Sequence, residues 1–184
     1  VNVRGTELDA NLKVNKNLSF YAAATYNDGR YQKFTNAPLP LEETGHTTVD
    51  DNGQTVQQAF KDISGARLPG ISKFSGSLGG EFLSSTLTFF GQESKFFLGF
   101  DGFYRSEFSS SPSPSKYLNI DGYFLLNGRA GFRSATGLSL FVWSRNLLNK
   151  DYYEQLLVAG GNAGHYAGVL GDPRTYGITL RYNF

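Results

Sequence analysis

The chain has 184 residues, a formal net charge of +1 and no cysteine. That excludes a disulfide frame and a thiolate metal site, and gives no reason to expect a polyanionic partner such as nucleic acid. The 22 glycines exceed average usage of roughly 7%, and no apolar run approaches the ~18 residues of a spanning helix.

Aromatic residues make up 15% of the chain, yet mean hydropathy is −0.32. A strand that is apolar on one side only averages out as polar, so this value does not argue against a membrane β-barrel. Methionine is absent, and no N-terminal stretch combines basic residues with an apolar core. The chain is therefore expected to be a piece of a longer one, with any signal peptide outside it.

Alternation starts in TELDANLKV, where Leu8, Ala10, Leu12 and Val14 stand against Glu7, Asp9, Asn11 and Lys13. After the tight turn NKN (15–17), LSFYAAATY puts Leu18, Phe20, Ala22, Ala24 and Tyr26 on one face. KFSGSLGGEF carries Phe74, Leu78 and Phe82 opposite Ser75, Ser77 and Glu81. KFFLGFDGFYR groups Phe96, Leu98, Phe100 and Tyr104 against Asp101 and Arg105. YFLLNGRAGFR sets Phe124, Leu126, Ala130 and Phe132 against Asn127, Arg129 and Arg133. Past the turn SATG (134–137), LSLFVWSRNLLNKDYY alternates less cleanly, because Phe141 and Trp143 face away from Leu138, Leu140 and Val142. GDPRTYGITLRYNF closes the chain with Tyr176, Ile178, Leu180, Tyr182 and Phe184 in strict alternation. This predicts about seven strands, all antiparallel.

The connections alternate in length. NKN, SATG and the longer LSSTLTFFGQES fall at one end of the strands; three long polar stretches, 35–67, 109–119 and 155–171, fall at the other. Short turns on one rim and long loops on the other are the pattern of an outer-membrane barrel.

The apolar face could point inward, as in a small soluble barrel, or outward into lipid. Outward is favoured. The apolar sets mix glycine and alanine with phenylalanine (Gly76, Leu78, Gly80; Gly128, Ala130, Phe132), which leaves a packed interior short of volume. Aromatics gather near strand ends (Tyr26, Phe82, Phe96, Tyr104, Phe132, Tyr182), where interfacial girdles sit. Glu7, Asp9, Lys13, Arg129, Arg133 and Arg181 then line a wet bore. Seven strands are an odd number, and open edges in lipid are costly, so the chain is expected to be part of a larger barrel.

Four stretches together resemble the C-terminal barrel region of a TonB-dependent outer-membrane receptor, in the family's order over nearly the whole chain. They are RGTELDANLKVNKNLSFYAAATYND, GARLPGISKFSGSLGGEF, YFLLNGRAGFRSATGLSLFVWSRNLLNKDYYE and GDPRTYGITLRYNF. The resemblance implies a barrel of ~22 strands around a plug, with 1–184 its C-terminal part and no plug domain in this chain. It also implies a Gram-negative outer-membrane location, contact with TonB through the missing N-terminal region, and no cofactor. The terminal strand (Tyr176, Ile178, Leu180, Tyr182 and Phe184) resembles the signal read by the barrel-assembly machinery; alternatively, any last barrel strand must alternate.

No catalytic set is recognisable, and His46 and His165 lack metal-ligand spacing, so neither an enzyme nor a metal site is expected. GGNAGHYAG (160–168) lacks the Lys-Ser/Thr ending of a phosphate loop, and SSSPSPSK (109–116) reads as an extended loop. Substrate contacts are expected from Tyr152, Tyr153, His165 and Tyr166, with Arg105 and Arg145 as polar partners. Packing within loops and girdles is the alternative for each. The expected function is active import of ferric siderophores or similar scarce metal complexes. Alternatives are import of oligosaccharides or cobalamin, a passive porin, or a small adhesive barrel.

Overall fold

The computed structural model describes residues 1–89, 91–161 and 164–183. Seven long strands form one antiparallel meander: β1 (Asn2–Lys13), β2 (Leu18–Arg30), β3 (Phe74–Leu83), β4 (Gln92–Arg105), β5 (Tyr123–Ser134), β6 (Leu138–Arg145) and β7 (Thr175–Tyr182). The expected all-β wall of about seven strands is what forms, and it is an open sheet. A short strand, Leu87–Phe89, folds back on the start of β4.

The registers decide whether seven separately alternating strands agree on one face. They do. Leu8 pairs with Ala24, Ala24 with Gly76, Gly76 with Tyr104 and Tyr104 with Phe124. Nearer the other rim, Phe82, Leu98, Ala130, Val142 and Ile178 form another such rank. The intervening ranks belong to the opposite face: Asn11, Tyr21, Gly79, Asp101 and Asn127 form one, and Lys13, Ser19, Glu81, Gly99 and Arg129 the next. A slip of one residue at any seam would have mixed the two faces.

The apolar face is bare: Leu98 is 60% exposed and Ile178 73%. Among the described residues the buried apolar side chains are Ala37, Pro40, Ile63, Phe97, Phe108, Leu118, Ile120 and Tyr123, and of these only Phe97 and Tyr123 belong to the wall. The wall therefore has no hydrophobic core of its own.

The short-turn rim is stitched across hairpins. Leu83 N donates to Asn17 O at 2.7 Å, Ser84 N to Phe96 O at 2.7 Å and Ala135 N to Glu93 O at 2.8 Å. Gly137 takes φ +88°, and a Cβ there would stand 2.3 Å from Asn183 O, so only glycine fits between β6 and β7 at their turn end. Phe89, Phe96 and Phe132 interlock at centroid distances of 5.2–6.2 Å on the same rim.

One boundary differs from the sequence pattern. The stretch 138–153 does not run on as strand, because β6 stops at Arg145. Asn146 and Asn149 take φ +47° and +52°, a left-handed conformation that asparagine tolerates better than most residues. Because the strand count is odd, the two outermost strands run the same way, both β1 and β7 descending from the long-loop rim to the short-turn rim.

Candidate functional site

Three long connections leave one rim: 31–73, 106–122 and 146–174. None is a plain loop. The first holds two small ladders, Ala37–Pro38 with Phe60–Lys61 and Thr47–Val49 with Thr55–Gln57. The second pairs Phe108–Ser109 with Asn119–Ile120. The third is a hairpin, Tyr153–Val158 with Tyr166–Leu170, where the sequence suggested an irregular stretch.

The serine–proline segment of the second loop is held by its own hydroxyls. Ser109 Oγ donates to Ser111 O at 2.9 Å, Ser111 Oγ accepts from Ser113 N at 3.2 Å, and Ser115 Oγ accepts from Tyr117 N at 3.1 Å. Each hydroxyl serves a backbone group two residues on, a turn chemistry typical of serine. Ser110 and Ser115 then reach the other loops. Ser110 Oγ accepts from Leu156 N at 3.0 Å in the third loop, and Ser115 Oγ donates to Glu42 Oε1 at 2.8 Å in the first. The Tyr166 hydroxyl donates to Glu42 Oε2 and lies 3.0 Å from Ser115 Oγ. One carboxylate thereby joins all three loops.

Burial pulls the Glu42 carboxyl upward, but hydrogen bonds from Tyr166, from its own backbone N–H and from Ser115 outweigh it, and its pKa falls below the ordinary 4.5. Burial, reinforced by the bond to Glu42, pushes the Tyr166 phenol above 10.0. The two shifts are consistent with one hydrogen bond between an ionised carboxylate and a neutral phenol.

Beneath this node Phe108, Ile120 and Tyr123 are buried together, with Leu125, Tyr152 and Leu156 packed on them. Leu125 shares a rank with Phe103, Ser77, Ala23 and Asp9, so the loops fold over the polar face of the wall. Among the described residues most of the apolar face is left uncovered. On the polar face Glu81 receives Arg133 at 3.2 Å and Arg129 at 3.3 Å, while Asn127 Nδ2 donates to Asp101 Oδ2 at 2.6 Å.

The six residues expected to touch substrate do not form one cluster. Arg105 is occupied: its Nε donates to Ser72 Oγ at 2.6 Å, Nη2 donates to Gly70 O, and the guanidinium stacks on Phe108 at 3.5 Å. Tyr152 lies 4.6 Å from the Tyr123 ring and covers Gly171, where a Cβ would meet its ring at 2.0 Å. Both residues thus border the buried cluster. Tyr153 covers Gly168, and Arg145 lies 5.5 Å above Trp143. His165 is exposed on the third-loop hairpin, and its carbonyl accepts from Ala159 N at 3.0 Å. Only Tyr166 reaches the inter-loop node. Among the described residues no three His, Cys, Asp or Glu side chains converge on a metal position.

Sequence reasoning missed Glu42, Ser115 and Phe108, which nothing local marks out. It also missed the role of Asn146, buried at the third loop's entrance. Its side chain donates to Lys150 O at 2.9 Å and Asp172 O at 3.0 Å and accepts from Lys150 N at 2.8 Å. Its backbone N–H donates to Asn127 Oδ1 at 3.0 Å. The NLLNK motif is the local signal for this clamp.

Of the terminal-strand residues, Tyr176, Ile178, Leu180 and Tyr182 lie on the apolar face of β7, 56–82% exposed. Phe184 lies outside the described residues.

The siderophore receptor PiuA from Acinetobacter baumannii resembles this structure with TM-score 0.65 at 18% identity, over 98% of this chain and 21% of that one. The ferric yersiniabactin uptake receptor FyuA from Yersinia pestis gives TM-score 0.67 at 12% identity, over 99% and 23%. The chain thus spans about a fifth of the length of these receptors. No curated protein sequence matches it. The family described as "TonB dependent receptor-like, beta-barrel" matches residues 1–147, which contain β1 to β6 and the first two loops. The chain belongs to the TonB-dependent receptor β-barrel family.

Proposed function

We propose that this chain forms the C-terminal wall and part of the external cap of an outer-membrane receptor that imports ferric siderophores or similar scarce metal chelates, energised through TonB. The observation that carries this reading is the joined cap. Three long loops meet at Glu42 and lie over the polar face, while the apolar face stays bare. A gated receptor needs an ordered external surface above a polar passage; unlinked loops would not provide one. The siderophore class is suggested by the two structural neighbours, whose names are those of a siderophore receptor and a ferric yersiniabactin uptake receptor.

Roles divide by geometry. Arg105 and Tyr152 hold the cap onto the wall. Tyr166, with Tyr153 and His165 on the same hairpin, presents aromatic and imidazole groups to ligand, and Arg145 above Trp143 is the polar contact lower in the bore. The chain's work is transport, not bond chemistry. The alternating β7 ends in the signal through which the assembly machinery recognises the barrel, because an edge strand of fixed register is a template for strand addition.

The test is uptake of radio-iron by cells whose receptor gene is deleted and then restored. Uptake that requires the receptor, TonB and a proton-motive force supports the reading. Uptake that persists without TonB indicates a passive pore, and selective uptake of oligosaccharide or cobalamin reassigns the cargo.

A further inference from the structure

The third loop swings on a short hinge between the end of β6 and the start of β7. Asn146 and Asn149 turn the chain there at φ +47° and +52°, and the Asn146 side chain bolts Lys150 and Asp172 together across the two ends of the loop. Arg174 N adds a bond to Asn149 Oδ1 at 3.3 Å. The hairpin of Tyr153–Val158 and Tyr166–Leu170 lies beyond these residues, so its placement follows the hinge.

Two backbone donors dock the hinge on the wall. Leu147 N donates to Leu126 O at 2.6 Å, and Asn146 N donates to Asn127 Oδ1 at 3.0 Å. The first bond joins main chains and needs no particular residue. The second holds only while the Asn127 amide presents its oxygen to the hinge, and Asp101 enforces that orientation. Asp101 stands directly opposite Asn127 in the β4–β5 register and accepts from Asn127 Nδ2 at 2.6 Å. A carboxylate can only accept and a backbone N–H can only donate, so a flipped amide would meet two mismatches at once. Unmatched groups at partly buried positions cost more than the bonds themselves contribute. Asp101 is 37% exposed on the polar face, and Arg129 Nη1 stays 3.8 Å from its other oxygen.

We propose that Asp101 is a positioning residue for the third loop: through the Asn127 amide, a carboxylate on the polar face of β4 sets the hinge from which the third-loop hairpin hangs. The same hinge decides where Tyr166 meets Glu42, so this wall residue bears on the node that joins the three loops. The inference concerns the hinge alone and holds whatever ligand the hairpin meets.

Hydrogen exchange of the full-length receptor in detergent tests it, read at the Lys150 and Gly171 N–H groups that the hinge protects. Asn127→Asp sets two carboxylates against each other and should speed exchange at both by about tenfold, the effect of losing a hydrogen bond to a charged group. Asp101→Asn should cost at most about threefold, because an amide oxygen can still accept from Asn127. Combining Asp101→Asn with Asn127→Asp exchanges donor and acceptor between the two positions and still leaves an oxygen toward the hinge. The combined variant should therefore regain the protection of the unaltered receptor. A role in packing alone predicts equal loss in Asn127→Asp and in the combined variant; that result would overturn the proposal, as would unchanged exchange in Asn127→Asp. The combined variant keeps the original shape and charge, so it is read by itself where Asn127→Asp does not fold: full protection supports the proposal and lost protection overturns it.

Discussion

The wall and the cap solve opposite problems with one sequence. The wall spends its apolar residues on an outer surface and buries almost none of them, so it is held by cross-strand ladders and by whatever surrounds it. The cap does the reverse, hiding Phe108, Leu118 and Ile120 in segments that look polar and pinning its loops together with serine hydroxyls. The lesson is that the greasier-looking region is the one without a core. Hydrophobicity here marks an exposed face, and the packed interior lies where composition suggests linker.

The contrast breaks first at Phe108. Phe108→Ala should cost the cap about 3–5 kcal/mol, the usual price of emptying a packed aromatic site. Hydrogen exchange should then rise across 106–122 while the ladders of β1 to β4 stay protected; joint loss of both would show that wall and cap are one cooperative unit. Next comes Leu98→Arg on the apolar face, expected to cost about 2–4 kcal/mol in reversible unfolding from vesicles. Ser77→Arg, on the polar face, should stay within about 0.5 kcal/mol. If the two costs are equal, the assignment of faces fails.

Asn146→Ala sharpens the comparison at the seam between the two regions. It removes three side-chain hydrogen bonds and places alanine at a positive φ, for a loss of about 2 kcal/mol. Asn146→Gly relieves the backbone and should recover only a part, which unfolding midpoints will separate. The smallest effect is expected at Tyr166→Phe, at most about 1 kcal/mol because the node is partly exposed. Its signature is pH. Glu42 is depressed, so its contribution is present above 4.5 and fades as pH falls through the lower folded value. Tyr166 is raised, so its contribution is present below 10.0 and fades as pH rises through the higher folded value. Protease protection of the loops should therefore hold across neutral pH and fall at both extremes, and Tyr166→Phe should flatten the alkaline limb.

Most of the wall was legible because a period of two needs only neighbours to be seen: Leu8 to Val14 or Tyr176 to Tyr182 announce their faces within a few residues. The end of β6 was harder, since the left-handed turn at Asn146 shows only as a motif and the partners that justify it, Lys150 and Asp172, lie in the loop beyond. The cap was not legible. Its ordering contacts join residues 46, 73 and 124 positions apart, and no periodicity reports a serine that serves a distant loop. The dispersal of the six substrate candidates has the same cause: adjacency in sequence put Tyr152, Tyr153, His165 and Tyr166 together on paper, while the hairpin register and Gly171 sent their side chains to different neighbours.

The common descent of β1 and β7 carries an arithmetic consequence. Any fully antiparallel cylinder that incorporates this unit takes an odd number of additional staves. Two identical copies standing the same way up would meet in parallel at each seam and break the alternation there. Copies standing the same way up are therefore not a route to such a closed tube; the staves that adjoin β1 and β7 must both ascend from the short-turn rim.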